Sequence, residues 1–367
     1  MSQTPAHHHN DPTQTNSRKR SRDSDSSSST SSASSSSSSL AVQRRRVINT
    51  RSTLRGRKNL SHVQDDVLCY LMSFLEVDAL KSVVFVSRSL ANACKAYFQM
   101  LLNASAFYIY VSLPINDCSD DDEMKFNFPN LNKAMEMLQI LSTLPGHDSD
   151  KKMTLELEEG VHEVVGSWQA PWGTTFQKML SVPCNHLSFV GQGEGVTIVE
   201  GGLVVENGRK VSIEGLTVKS SSRCGVVASG AGTEVVLQNV TILECLGNAL
   251  GAEGGAKLVA TDCQFRQNGG CGVIAIGSTT TVCLTNCTSH HNKRNGVGAY
   301  RGAVVDLMGE GTSVHDNKMY GLCAWDRGTT INVYQPCVLN DMSHGNKGQN
   351  IRRGNVSTVQ QKDSTKR

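Results

Sequence analysis

The chain has 367 residues, 12 of them Cys, and a formal net charge of +3, which leaves room for two or three domains. Eleven Lys and Arg against three Asp give residues 1–58 a net +8, so residues 59–367 carry −5. That balance disfavours nucleic-acid binding by the folded part, and no apolar run is long enough to cross a bilayer.

Residues 1–58 are expected to form a disordered, Ser-rich basic tail. Positions 21–39 are dominated by Ser and offer too little apolar surface to offset the entropy of ordering. The clusters Arg18-Lys-Arg-Ser-Arg22 and Arg44-Arg-Arg46 have the form of nuclear-import signals. With no signal peptide in view, the expected location is the nucleus and/or the cytoplasm, where cysteines read as reduced thiols. His7, His8 and His9 have no Cys or His partner at ligand spacing, and Cys283 and Cys287 fall on different strands or at a corner. Neither group is expected to hold a metal, and no cofactor is implied.

Residues 59–100 change character. Val67, Leu68, Leu71, Met72 and Leu75 recur at helical spacing behind Asp65 and Asp66, which suit the positive end of a helix dipole. Asp78 caps a second helix and Ser87 a third running to Phe98. Three helices this short make a core too small to stand alone, so the module is expected to lean on a partner. The run Leu60, Val63, Asp65, Asp66, Val67, Leu68, Leu71 to Leu75, Asp78, Leu80, Val83, Val86, Ser87 and Arg88 resembles the F-box motif. That motif is the adaptor-docking module of Skp–cullin–F-box ubiquitin ligases. Gln64 stands where the family usually has Pro, and Leu90 where a Trp is common. The resemblance implies a Skp-type adaptor and a cullin scaffold as partners, with Leu60, Val63, Val67, Leu68, Leu71, Leu75 and Leu80 packing into the adaptor.

Residues 101–125 read as a linker, although Phe107 to Val111 has the pattern of a strand and the acidic run Asp120 to Glu123 that of a solvated segment. Asn130 then opens an amphipathic helix whose apolar face is Leu131, Ala134, Met135, Leu138 and Leu141. The following strand, Gly turn and strand resemble the start of pectin-lyase-like β-helices, in which a helix plugs the open end of the column.

The rest is a ladder. Ala228, Ala252, Ala275, Ala299 and Ala324 step by 24, 23, 24 and 25 positions, each closing a Gly- or Ala-led segment such as Gly272-Val-Ile-Ala275. A second apolar pair follows in each unit, for example Val235/Leu237 and Val282/Leu284, and period-two apolar residues mean strands with one buried face. Asn239, Asp262, Asn286 and Glu310 mark one corner, and Asn268, Asn292 and Asn317 a second, because Asn and Asp tolerate left-handed backbone. Units of this length cannot bury a core alone and must stack. The predicted fold is mainly β: a right-handed parallel β-helix of about seven coils over residues 126–346, followed by a C-terminal tail, 347–367.

On the strand that carries the Ala ladder the outward position reads Ser229, Glu253, Ile276, Tyr300 and Trp325. Glycoside hydrolysis needs two carboxyls about 5–10 Å apart. Glu253 and Asp326 lie three coils apart, roughly 14 Å at the inter-strand spacing, and the His290-His291 pair sits at a corner. The expectation is therefore a chain without catalytic residues. Glu253, Ile274, Ile276, Tyr300, Arg301, Trp325 and Arg327 instead form a candidate substrate-binding patch, aromatic and apolar with a charged rim. With the F-box resemblance, this makes the chain a non-catalytic substrate receptor of a ubiquitin ligase that captures a protein on the β-helix. The alternative is a carbohydrate-binding or carbohydrate-processing β-helix in which Tyr300 and Trp325 stack on sugar rings.

Overall fold

The structure is a computed structural model and describes residues 107–111, 126–143 and 152–363. The expectations for the tail 1–58 and for the F-box-like module, with its residues Leu60, Val63, Val67, Leu68, Leu71, Leu75 and Leu80, fall outside the described residues. Among the described residues, no helix is long and apolar enough to cross a membrane.

The described residues form a right-handed parallel β-helix of eight coils. Each coil contributes a strand to each of three walls, except the last, which ends on wall 2. Wall 1 is the eight-stranded sheet running from Met179–Ser181 through Gly202–Glu206, Val226–Ser229, Leu250–Glu253, Val273–Ile276, Val297–Tyr300 and Tyr320–Trp325 to Gln349–Arg353. Walls 2 and 3 merge into one sheet, because the strands Lys210–Lys219 and Glu234–Leu243 run through the corner between them. Every register is parallel apart from one antiparallel hairpin, Ser167–Gln169 with Thr175–Gln177. This hairpin lies outside the column, with Trp168 and Ala170 packed on Val204, Cys224 and Val227.

The alanine ladder is as the spacing predicts. Ala228, Ala252, Ala275, Ala299 and Ala324 pair in consecutive register and are fully buried. Walls 2 and 3 supply the larger inward residues, Leu237, Leu258, Leu284, Leu307, Ile242 and Phe265 among them. Small residues on one wall facing large ones on the others fill the column at native density.

Three periodic devices satisfy the backbone at the corners. Between walls 1 and 2, the hydroxyls of Thr233, Thr280 and Thr329 donate to the carbonyls of Ser229, Ile276 and Trp325 at 2.7–2.8 Å. The same hydroxyls accept from the amides of Gly208, Gly255 and Gly302 in neighbouring coils. Between walls 2 and 3, Asn239, Asp262 and Asn286 hold left-handed backbone with φ of 51°, 53° and 52°, as expected; in the next coil Gly309, and not Glu310, takes that role with φ of 82°.

The corner between walls 3 and 1 corrects the sequence reading. The left-handed residues there are Gln267, His291 and Asp316, while Asn268, Asn292 and Asn317, one position later, point inward and are fully buried. They form a ladder. Asn292 Oδ1 accepts from the Asn268 amide and side chain at 3.1 and 3.0 Å, and Asn317 Oδ1 accepts from Asn292 in the same way. Asn346 Oδ1 then accepts from Asn317.

Both ends extend further than expected. Phe107–Val111, placed in the linker 101–125, is a strand paired with Phe126–Phe128 and Met153–Leu157. The helix Leu131–Thr143 packs Leu131, Ala134, Met135, Leu138 and Leu141 into the core of the column, and Asn130 Oδ1 accepts from the Lys133 amide as an N-cap does. At the other end the expected tail 347–367 supplies two strands, Gln349–Arg353 and Thr358–Lys362. The sequence period hid them because the insertion holding the short helix Leu339–Met342 lengthens the last step and Arg353 occupies the alanine rung.

Candidate ligand-binding face

The outward side of wall 1 is built from three rows that cross the coils. Register places Glu206, Ser229, Glu253, Ile276, Tyr300 and Trp325 in one row, so four of the predicted patch residues are direct neighbours. Val204, Val227, Gly251, Ile274, Gly298, Cys323 and Arg352 form the middle row. Asn248, Cys271 and Asn295, just before their strands, form the third with Tyr320, the first residue of its strand. Arg301 and Arg327 lie beyond the first row, exposed on the corner, where the Arg301 amide donates to Asp326 Oδ2 at 3.1 Å.

At the C-terminal end of the face the Arg352 guanidinium stands 4.7 Å from the Tyr320 ring centroid and 5.0 Å from that of Trp325. Its Nη1 donates to the Tyr320 hydroxyl. Trp325 remains 42 % exposed. Tyr300 lies flat: its ring passes over Gly298, where an added Cβ would come within 2.8 Å of it, and its hydroxyl accepts from Asn295 Nδ2 at 2.9 Å. Burial first, then the neighbouring Cys323 and Cys271, push the Tyr300 hydroxyl above the usual tyrosine range, so it is a neutral polar group. Cys323 is buried beneath this layer.

At the N-terminal end the hairpin supplies a second aromatic cluster. Trp168 stacks on Phe176 at 6.0 Å and meets Trp172 edge-on at 6.2 Å, and Arg223 lies 4.5 Å from Trp172 and 4.7 Å from Phe176. Its Nη1 is buried without a hydrogen-bond partner. Trp172 is 54 % exposed. Between the clusters lies a floor of Gly251, Ile274, Ile276 and Gly298, edged by Glu253, Asn248 and Asn295. From the strand at Val226 to that at Leu322 is four coil steps, about 19 Å.

The residues missed in the sequence are Tyr320, Arg352, Arg223 and the hairpin aromatics. Tyr320 was in reach, two positions before the inward Leu322. Arg352 was hidden by the insertion that breaks the period, and the hairpin carries no repeat. The row also extends back to Glu206, two coil steps and about 10 Å from Glu253, with Trp168 Nε1 donating to the Glu206 carboxylate at 3.4 Å. Asp306, an outward acid on wall 2, accepts from Asn332 Nδ2 at 2.8 Å.

Wall 3 carries a separate feature. His290, His315 and His344 stack in parallel at 4.9 and 5.1 Å, one per coil, with His291 edge-on to His290 and Asp316 accepting from His315 Nδ1 at 2.8 Å. Burial, then repulsion from His315, His291 and Arg266, push His290 down to about 4, so it is neutral at pH 7. No group of side chains among the described residues is arranged to hold a metal ion.

Residues 191–338 match the family profile described as right handed beta helix region. No curated protein matches the chain. Among solved structures, the chain is similar to the Azotobacter vinelandii mannuronan C-5 epimerase AlgE6 A-module, at 15 % identity and a TM-score of 0.42, over 58 % of this chain and 67 % of that one. It is also similar to the AlgE4 A-module of the same organism, at 16 % and 0.40 over 57 % and 67 %, and to pectate lyase Pel9A, at 13 % and 0.38 over 70 % and 78 %. These enzymes overturn the expectation of a non-catalytic receptor, which is dropped. At such identities and TM-scores the likeness assigns no reaction to this chain. The F-box resemblance has no counterpart in these comparisons, whereas the repeat architecture read from the alanine ladder is that of the matching family profile.

Proposed function

We propose that the outer face of wall 1 binds a carbohydrate chain laid across the coils. The observation that carries this reading is the pair of exposed tryptophans, Trp172 and Trp325, at the two ends of a shallow floor of glycine and isoleucine with a polar edge. Exposed aromatic faces suit the C–H faces of sugar rings, and an amide and a carboxylate such as those of Asn248 and Glu253 suit their hydroxyls. Arg223 and Arg352, each held against rings, are oriented donors at either end.

The test is glycan-array binding by the full-length chain, followed by calorimetry on the best ligand with Trp325→Ala and Trp172→Ala. A loss of about tenfold or more in affinity, the scale of a buried aromatic contact, with melting unchanged in Trp325→Ala, is the expected result. Undiminished binding by both variants would refute it. Glu206 and Glu253 stand near the upper end of the spacing used by inverting glycosidases, so new reducing ends are measured alongside, with Glu253→Gln as the control.

A ligase-linked reading is favoured by one observation, the F-box resemblance over residues 60–88. It expects a Skp-type adaptor and cullin to co-purify with the intact chain and to be lost when residues 59–100 are deleted.

A further inference from the structure

The corner between walls 3 and 1 carries a row of cations beside the candidate face. Lys293, Lys318 and Lys347 each follow an asparagine of the buried ladder, and their amides donate to the carbonyls of Asn268, Asn292 and Asn317, each at 2.9 Å. The three lysines are therefore fixed one above another, about 4.8 Å apart along the solenoid axis, and all are exposed. Arg294 adjoins Lys293 and is exposed as well.

No carboxylate among the described residues forms an ion pair with any of these four. The nearest acid along the corner, Asp316, is engaged by His315. A straight row of like charges on a rigid backbone is unfavourable by itself and is relieved by an anion whose charges repeat along the same line. The row also adjoins the candidate face directly: Asn295 follows Arg294, and Tyr320 comes two positions after Lys318.

We infer that the Lys293–Lys318–Lys347 ridge holds the acidic groups of a linear polysaccharide, carboxylate- or sulfate-bearing, whose sugar rings lie on the adjoining face. This rests on the carbohydrate reading and specifies the ligand's charge. A single narrow row suits a single chain lying along the axis, one charge per coil. A nucleic-acid duplex needs cations on both sides of a groove to follow its two strands, whereas Lys293, Lys318 and Lys347 stand in one row along one corner.

The experiment uses the full-length chain, so that the basic tail is present in every sample. Binding of polygalacturonate (carboxylate), heparin (sulfate), neutral dextran and a single-stranded oligonucleotide is measured for the wild type, for the triple variant Lys293→Gln/Lys318→Gln/Lys347→Gln and for the triple variant to Arg. The expected result is at least a tenfold loss for one or both acidic polysaccharides in the Gln variant, with a shallower salt dependence, retention in the Arg variant, and equal melting of all three proteins. Which acidic probe responds identifies the anionic group. Unchanged affinity in the Gln variant overturns the inference. Tighter binding of dextran than of either acidic probe overturns it too, while leaving the carbohydrate reading intact. Binding of no glycan removes both, and a lysine-dependent preference for the oligonucleotide reassigns the ridge to nucleic acid.

Discussion

Substitution of Asn292 by Ala separates the two kinds of corner asparagine in this chain. Asn292 is fully buried, and its side chain makes five hydrogen bonds. Oδ1 accepts from the amide and the side chain of Asn268, and Nδ2 donates to the Phe265 carbonyl at 2.9 Å, to Ser289 Oγ at 3.3 Å and to Asn317 Oδ1 at 3.0 Å. Truncation leaves the buried Asn268 amide without its acceptor, at a cost of about 1–3 kcal/mol, and removes donors from neighbouring groups in a dry interior. With the void left by the lost amide, the total is about 3–5 kcal/mol. Asn239→Ala is the control: that asparagine is exposed and serves its corner through a φ of 51°, so its loss costs about 1 kcal/mol of left-handed strain. Urea unfolding followed by far-UV circular dichroism measures both. Equal midpoint shifts, or a loss below about 1 kcal/mol for Asn292→Ala, would refute the account of the ladder as a buried hydrogen-bond chain.

Two further outcomes follow from the walls. Ala275 sits in register between Ala252 and Ala299, so Ala275→Leu forces a large side chain between coils about 4.8 Å apart. It should cost about 1–3 kcal/mol by overpacking, whereas Ile276→Leu on the outward side should be close to neutral. The histidine stack makes stability depend on pH. His290 is held at about 4, below its ordinary value of 6.5, so its neutral form stabilises the fold at pH values above that ordinary value, and the contribution is lost as pH falls toward 4. Arg266, His291, His315 and Asp316 are the charged or titratable groups that act on it. Melting temperatures measured from pH 7.5 to 4 should fall less steeply for His290→Gln than for the wild type; equal slopes would exclude the stack as a source of acid sensitivity.

The alanine ladder alone determined the architecture. A residue that recurs every 23–25 positions on one face of a short strand is compatible only with coils stacked in parallel, because each coil must bury its inward side chains against the next. The same periodicity determined the outward row of Glu253, Ile276, Tyr300 and Trp325, since strand alternation makes the neighbours of a buried alanine point out. Three things were decided by tertiary structure. The direction of Asn268, Asn292 and Asn317 depends on which of two adjacent corner residues takes the left-handed conformation, and Asn is compatible with either place. The last coil depends on pairing across an insertion that local spacing does not span. The aromatic clusters at both ends of the candidate face depend on a hairpin and a strand that lie outside the repeat, brought to wall 1 by contacts between residues such as Trp168 and Glu206 or Arg352 and Tyr320. A periodic pattern specifies what repeats, and the aromatic clusters of this face are completed where the repeat is interrupted.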